Sequence, residues 1–130
     1  MHVRDMTEHQ SSGVKERGTY KGLIEKGKTG GIDYIKNLGV NTIELLPAQE
    51  FANIEIPYKD SVLGKFNTWN PYERNHWGYM TAAFFAPESY FSENVREIEF
   101  NKWSGADAKA VTDFKDMVKA FHKEDIAVMM

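Results

Sequence analysis

Apolar residues recur at helical spacing in two parts of the chain. Between residues 107 and 124 they recur every three or four positions, which predicts an amphipathic helix close to the C-terminus. The apolar positions of this helix are Val111, Phe114, Met117, Val118 and Phe121. A shorter helix is predicted to begin at Thr29 as its N-cap and to stop at Gly39. Its apolar side carries Ile32, Ile35 and Leu38.

Three shorter segments are strand-like, at residues 1–6, 42–46 and 126–130, and the last of them is an apolar run. Pro47 ends the second run because it removes a donor from the ladder. The resulting order is strand, helix, strand, long insertion, helix, strand. Parallel strands joined by right-handed helical crossovers follow from this order, so the sequence predicts an α/β fold.

Two connections follow the predicted strands. Residues 7–28 are polar and rich in glycine and serine, so we expect a surface connection there. Residues 49–105 are far longer than the roughly two to six residues usual for a strand-to-helix loop, and such loops are commonly functional. Both connections leave the carboxyl ends of predicted parallel strands, which is the edge where α/β folds bind ligands.

The long loop carries the candidate binding residues His76, Trp77 and Tyr79. Two large aromatic residues around Gly78 offer flat apolar faces with polar edges, which suit sugar rings or nucleobases. Core packing is the alternative, since aromatic clusters bury well in any domain. Because these residues lie on the predicted ligand-binding edge, contact with a ligand and packing in the core are equally good interpretations.

Composition narrows the classes of partner. The chain has 130 residues, 42% hydrophobic and 27% charged, which is typical of one soluble globular domain. A net charge of -3 and a pI near 5.8 give no reason to expect nucleic acid as a partner. The chain has no cysteine and therefore no disulfide or thiolate metal site. No long apolar run or signal-peptide pattern is present, so no membrane partner is expected and the compartment is left open.

Residues 22–29 match the spacing of a phosphate-binding loop, with Lys28 at the lysine position. Such a loop must leave a buried strand, and the polar, glycine-broken residues 13–21 do not predict one. Gly30 and Gly31 also weaken the first turn of the helix that follows. Nucleotide binding is therefore the weakest of the alternatives.

Titratable residues do not form a recognisable catalytic or metal-binding pattern. The histidines share no ligand spacing, so no metal site is predicted; they are His2, His9, His76 and His122. The carboxylates at the predicted functional edge are interpreted as strand-end and surface charges, because the sequence shows no pairing between them. These are Asp5, Glu8, Glu44 and Glu50.

Several motifs, in order along the chain, resemble the catalytic barrel of the α-amylase family. They are HVRD at 2–5, GTYKGL at 18–23, GIDYIKNLGV at 31–40, TIELLP at 42–47, WGY at 77–79, FFAP at 84–87 and FKDMVKAFH at 114–122. Within the family they are most similar to pullulanase and isoamylase-type debranching enzymes. The resemblance covers nearly the whole chain apart from residues 51–75.

The resemblance implies an incomplete (β/α)8 TIM barrel with about the first three strands and two helices, and a long loop after strand 2. Residues 1–130 are then a single fragment of the catalytic domain, truncated at or near the end of strand 3. The implied activity is that of a retaining glycoside hydrolase acting on α-glucan such as starch, glycogen or pullulan, with α-1,6 debranching. By the same resemblance Tyr79 stacks on the sugar at the cleaved bond, beside Trp77 and His76, and Met80 stands where pullulanases often carry Asp.

The family's nucleophile, acid/base and stabilising carboxylates follow strands four, five and seven, which lie beyond Met130. No catalytic residue is therefore expected in this chain, and the chain alone is expected to be inactive. The expected partner is an α-glucan polysaccharide or oligosaccharide, and open sheet edges are expected to favour self-association. No cofactor or metal is expected in the chain, and calcium is left to a full-length parent. A non-catalytic α-glucan-binding module is the alternative function.

Overall fold

The computed structural model describes residues 1–51, 75–92 and 108–130. The helices are α1 (Asp5–Glu8), α2 (Tyr20–Leu23), α3 (Ile32–Asn37) and α4 (Lys109–His122). The strands are β1 (Thr42–Glu44), β2 (Gln49–Phe51), β3 (Thr81–Pro87) and β4 (Ala127–Met129). Single 3-10 turns lie at Gln10–Ser12 and Ser89–Phe91. The described residues thus form the predicted mixture of helices and strands, an α/β structure.

Strands β1 and β4 pair in parallel, with Thr42 opposite Ala127 and Glu44 opposite Met129. The ladder continues past β1, because the Leu45 N–H donates to the Met129 carbonyl at 2.9 Å. Helix α4 immediately precedes β4 and packs against it. This is the parallel pairing that the order of apolar runs predicts.

The predicted strand over residues 1–6 is wrong for most of its length. Met1 does pair with the end of β1, since its amino group donates to the Glu44 carbonyl and the Leu46 N–H donates to the Met1 carbonyl. Helix α1 then occupies residues that were expected to be strand. The Asp5 N–H donates to His2 Nδ1 at 3.3 Å, and a local bond of this kind competes with sheet pairing.

Residues 7–28 are not the surface connection that their polar composition suggests. Tyr20 and Leu23 of α2 are fully buried, and Thr19 caps α2 by accepting from the Gly22 N–H at 3.0 Å. The Tyr20 hydroxyl donates toward the carbonyls of Ala48 and Glu88, at 3.3 and 3.1 Å. A few apolar side chains therefore bring this connection into the core.

Helix α3 differs from its prediction at its N-terminal end and in the burial of Leu38. Gly31 occupies the N-cap position, whereas the Thr29 hydroxyl donates to the Ser11 carbonyl. Gly39 follows the helix with φ +76°, which is the left-handed stop that was predicted. Leu38, expected on the apolar side, is 57% exposed. The buried side chains of α3 are Ile32 and Ile35.

The core gathers side chains from α2, α3, α4, β1 and β2 and from the connections between elements. It contains Val3, Tyr20, Leu23, Ile32, Ile35, Ile43, Leu45, Ala48, Phe51, Phe91, Met117, Phe121 and Ile126. Full burial of a large apolar side chain contributes roughly 1.5–3 kcal/mol. Of the described helices, α4 is the longest at 14 residues, and none is long and apolar enough to cross a membrane.

Candidate functional site

The predicted binding residues lie directly before β3, which the sequence did not predict. Strand β3 pairs antiparallel with β2, with Glu50 opposite Ala83 and Phe51 opposite Thr81. Strand β2 in turn follows shortly after β1, on the other side of Pro47. The segment 75–80 is therefore held at its C-terminal end by a strand that is tied back to the parallel sheet.

Gly78 brings this segment into close contact with the rest of the fold. Its φ is +78°, and a Cβ built there would lie 2.7 Å from the Pro47 carbonyl oxygen and 2.9 Å from Phe51 Cε1. No larger residue fits this approach without a shift of the backbone. The Asn75 carboxamide also holds the turn, since its Oδ1 accepts from the Gly78 N–H at 3.1 Å and its Nδ2 donates to the Tyr79 carbonyl.

Trp77 and Tyr79 project from the two sides of the buried Gly78 and face solvent. Their exposed fractions are 52% and 60%, and His76 is also exposed. All three predicted site residues are thus exposed, and the rings of His76 and Trp77 are in contact, with centroids 5.0 Å apart. We call His76, Trp77 and Tyr79 the aromatic platform.

His2 supports the platform from below, a role that sequence spacing did not reveal. His2 is 5% exposed, and its Nε2–H donates to the His76 carbonyl at 2.7 Å. Its ring stacks on the His76 ring with centroids 4.8 Å apart and planes 16° apart. It also meets Trp77 and Phe91 edge-on, with centroids 6.4 and 5.5 Å away. His2 at the N-terminus therefore holds His76 and Trp77 in position.

Asp5 lies between the two histidines. Its Oδ2 is 3.3 Å from His76 Nε2, and its Oδ1 is 3.5 Å from His2 Nδ1. Burial lowers the pKa of His2, while the charge of Asp5 acts in the opposite direction. Neutral His2 then carries its proton on Nε2, as the bond to the His76 carbonyl requires, and its Nδ1 lone pair faces Asp5.

Glu50, which was interpreted as a surface charge, is buried beside β3. It is 8% exposed and accepts from the N–H and the hydroxyl of Ser89, at 3.0 and 3.1 Å. Burial raises the pKa of Glu50, and the bonds from Ser89 partly offset this. The other three carboxylates of that set are exposed, as expected. Glu50 therefore has a structural role, since it joins β2 to the turn after β3.

The phosphate-loop match is not supported by the local structure. Gly22 lies inside α2, and a Cβ there would lie 2.0 Å from the Glu16 carbonyl oxygen. The described residues before it contain helical turns rather than a strand. Gly22 is therefore required by a tight packing contact inside the first connection, and these residues do not form a phosphate-binding loop after a strand.

The curated proteins most similar to this chain include isoamylases and pullulanases. No family model matches the chain. The chain is 37% identical over 130 residues to isoamylase 1, chloroplastic, from Arabidopsis thaliana, covering 100% of this chain and 14% of that protein. It is 30% identical over 135 residues to pullulanase from Bacillus subtilis (strain 168), covering 99% of this chain and 16% of that protein. The chain therefore spans about one seventh of the length of these relatives.

Solved structures give the same result for the fold. The structure superposes on pullulanase from Anoxybacillus sp. LM18-11 with a TM-score of 0.69 and 32% identity, covering 98% of this chain and 16% of that one. The same pullulanase has been solved in complex with maltotriose and with maltotetraose. The resemblance that the motifs suggested is confirmed by sequence and by structure.

Proposed function

Because this chain is related over its whole length to isoamylases and pullulanases, we propose that it is part of an α-glucan-debranching glycoside hydrolase. The observation that carries the proposal is full-length similarity in both sequence and structure. The proposed reaction is hydrolysis of α-1,6 branch linkages in starch, glycogen or pullulan. This chain would supply part of the substrate-binding surface, and the catalytic carboxylates would come from other parts of the enzyme.

We assign the parallel segments to the first strands of a (β/α)8 barrel. Met1 pairs with the end of β1, and β1 pairs with β4, so three parallel segments lie side by side. Helix α3 lies between the first and second segments in sequence, and α4 lies between the second and third. In such barrels the ligand site lies at the carboxyl ends of the strands. The aromatic platform follows β1 along the chain, which supports its place at that end.

The aromatic platform is the proposed glucan contact. Trp77 and Tyr79 expose flat faces, and the Tyr79 hydroxyl and the His76 ring add polar edges at the same surface. Sugar rings present apolar C–H faces and a rim of hydroxyls, so this combination can stack on and hydrogen-bond to a glucose unit. The maltotriose and maltotetraose complexes of a related pullulanase support α-glucan as the ligand class.

Calorimetric titration of the 130-residue chain with two tetrasaccharides tests the ligand class. We expect maltotetraose to bind and cellotetraose, its β-linked isomer, to bind at least tenfold more weakly. Release of reducing ends from pullulan by the same chain is expected to stay at the level of the buffer. Equal binding of the two sugars would contradict an α-glucan site, and hydrolysis by the chain alone would contradict the assignment of catalysis to other parts of the enzyme.

An apolar cavity lined by residues of α3, β1 and the N-terminus supports self-association of the isolated chain. The cavity has a volume of about 490 Å³ and is lined by Met1, Met6, Ile35, Leu38, Val40 and residues 42–46. Leu38 and Val40 are 57% and 41% exposed. Contiguous apolar surface of this kind favours association in water. Light scattering is expected to give a mass that rises with concentration, and a constant monomer mass would contradict this.

A further inference from the structure

Three side chains from distant parts of the sequence converge at the base of the aromatic platform. His2, Asp5 and His76 each present one ligand atom, and these atoms all lie within 4.8 Å of one another. His2 and His76 are 74 positions apart, so no ligand spacing could reveal the cluster in the sequence. Two imidazoles and one carboxylate are the ligand types that zinc and similar divalent ions prefer.

The distances in the cluster are close to those of a metal site. Two ligand atoms bound at about 2.1 Å to a tetrahedral ion lie about 3.4 Å apart. His2 Nδ1 and Asp5 Oδ1 are 3.5 Å apart, and His76 Nε2 and Asp5 Oδ2 are 3.3 Å apart. The two imidazole rings are stacked with planes 16° apart, so the exposed His76 ring would turn out of the stack for both nitrogens to face one ion.

His2 already has the tautomer that a metal ligand needs. Its Nε2–H donates to the His76 carbonyl at 2.7 Å, which leaves the lone pair on Nδ1 directed at the cluster. A ligating histidine usually donates its other ring N–H to a carbonyl or carboxylate, which fixes both tautomer and ring orientation. The partner of Nδ1 is the Asp5 N–H at 3.3 Å, a long bond that an ion can replace.

Charge and access also suit a dication. Histidine and aspartate bind metals as a neutral imidazole and a carboxylate, so the three ligands of this cluster together carry one negative charge. The nearby Arg4 guanidinium donates to Glu8 at 3.1 Å, so its charge is balanced outside the cluster. Asp5 and His76 are both exposed, which gives an ion a direct path from solvent and leaves room for a water ligand.

We propose that His2 Nδ1, the Asp5 carboxylate and His76 Nε2 form a binding site for one divalent ion of the zinc type. Bound there, the ion would tie α1 to the segment that carries Trp77 and Tyr79. The ion would be held by His2, Asp5 and His76, whereas the flat faces proposed to stack on glucan belong to Trp77 and Tyr79.

Titration with ZnCl2 and CoCl2 tests the site. We expect one equivalent of Zn²⁺ to bind, and Co²⁺ to give the visible absorption band of a site with nitrogen ligands and low coordination number. His76→Ala and Asp5→Asn change exposed residues, and each is expected to weaken Zn²⁺ binding by about tenfold or more. His122→Ala removes an exposed histidine at the end of α4 and is the matched control, with an expected change below twofold.

The two ligand variants distinguish a built site from surface binding. Circular dichroism establishes that each variant keeps the wild-type helix content before the titration is interpreted. If Zn²⁺ binding by His76→Ala and Asp5→Asn equals that of the wild type, the proposal is wrong. It is also wrong if the wild type binds Zn²⁺ only at millimolar concentration, or if His122→Ala weakens binding as much as His76→Ala does.

Discussion

Glu50 and Glu88 form reciprocal hydrogen bonds between β2 and the turn that follows β3. Glu50 on β2 accepts from the N–H of Ser89 in the turn after β3, and Glu88 beside that turn accepts from the N–H of Phe51 on β2. Glu88 also accepts from the Tyr90 N–H at 2.7 Å and is fully buried. This reciprocal pair closes the β2–β3 unit that carries the aromatic platform.

We expect Glu88→Ala to destabilise the fold, because the backbone N–H groups of Phe51 and Tyr90 lose their acceptor in a buried site. Each buried donor left without a partner costs roughly 1–3 kcal/mol. Urea denaturation measures the free energy of unfolding. Glu44→Ala, at an exposed strand position, is the control and is expected to change it by about 0.5 kcal/mol or less. Equal losses in both variants would show that the reciprocal pair has no special role.

The contribution of Glu50 to the free energy of unfolding should decrease as the pH rises. An ion-paired carboxylate shows the opposite dependence. Its pKa is raised in the folded state, chiefly by burial, so the folded protein favours the protonated form. This contribution is fully present below the unfolded pKa, near 4.5, and is lost as the pH rises through the higher folded pKa. Glu50→Gln keeps acceptor capacity for Ser89 without the titration.

The free energy of unfolding of wild type and Glu50→Gln, compared by urea denaturation from pH 4 to pH 7, measures this effect. The wild type should lose stability relative to the variant as the pH rises. A difference that stays constant, or one that grows in favour of the wild type, would contradict the burial of an ionisable Glu50.

The contribution of Glu124 to stability should decrease as the pH falls, as for an ordinary ion-paired carboxylate. Hydrogen bonds from Lys26 and Lys36 lower the pKa of Glu124 to about 2. A depressed carboxylate pKa contributes stability above the unfolded pKa near 4.5, and that contribution disappears as the pH falls toward 2. Because the pair is at the surface, salt screens it.

Thermal unfolding of wild type and Glu124→Gln at pH 6 and pH 2.5 tests this expectation. The wild type should have the higher Tm at pH 6, and the difference should shrink at pH 2.5 and in 1 M NaCl (Debye length about 3 Å). A Tm difference that is unchanged by acid and by salt would show that the two lysine contacts do not form in solution.

Gly78→Ala should disturb the platform more than a typical glycine substitution at positive φ. Gly39→Ala is the matched control, because Gly39 has φ +76° and nothing within 4 Å of a built Cβ. We expect the control to cost roughly 1–2 kcal/mol from its backbone conformation alone. At Gly78 the overlap with Pro47 and Phe51 adds to that cost and displaces Tyr79. Urea denaturation and maltotetraose titration of both variants are the measurements, and equal effects would contradict the close approach.

The sequence predicts those elements that have a clear periodic pattern of apolar residues. Helix α4 and strand β4 follow from apolar spacing. The burial of α4 agrees with it, since Met117 and Phe121 are fully buried, whereas Met129 of β4 is exposed although it is apolar. The parallel pairing of β1 with β4 follows from element order. The strand prediction for residues 1–6 is wrong because the chain turns into helix α1 at Asp5, where the Asp5 N–H donates to the His2 ring.

Contacts between distant residues could not be predicted in this way. Glu50 and Ser89 are 39 positions apart, and Tyr20 and Glu88 are 68 apart. Each residue alone looks like an ordinary polar or aromatic side chain of a loop. Strand β3 was hidden for the same reason, because four of its seven residues are exposed and its sequence does not alternate between apolar and polar. The aromatic residues around Gly78 and their place in the long loop indicated the platform, and the family motifs added a proposed role for Tyr79.

The most direct test of the proposed glucan site compares Tyr79→Ala with Tyr34→Ala in titrations with maltotetraose. Tyr34 lies on α3 and is 45% exposed, so its loss matches the chemistry of the Tyr79 change away from the platform. We expect Tyr79→Ala to weaken binding by about 1–2 kcal/mol, roughly five- to thirtyfold in Kd, through loss of one stacking contact. Tyr34→Ala should leave Kd within twofold of the wild type. Wild-type affinity in Tyr79→Ala, or equal losses in both variants, would contradict the assignment of the platform as the glucan-binding surface.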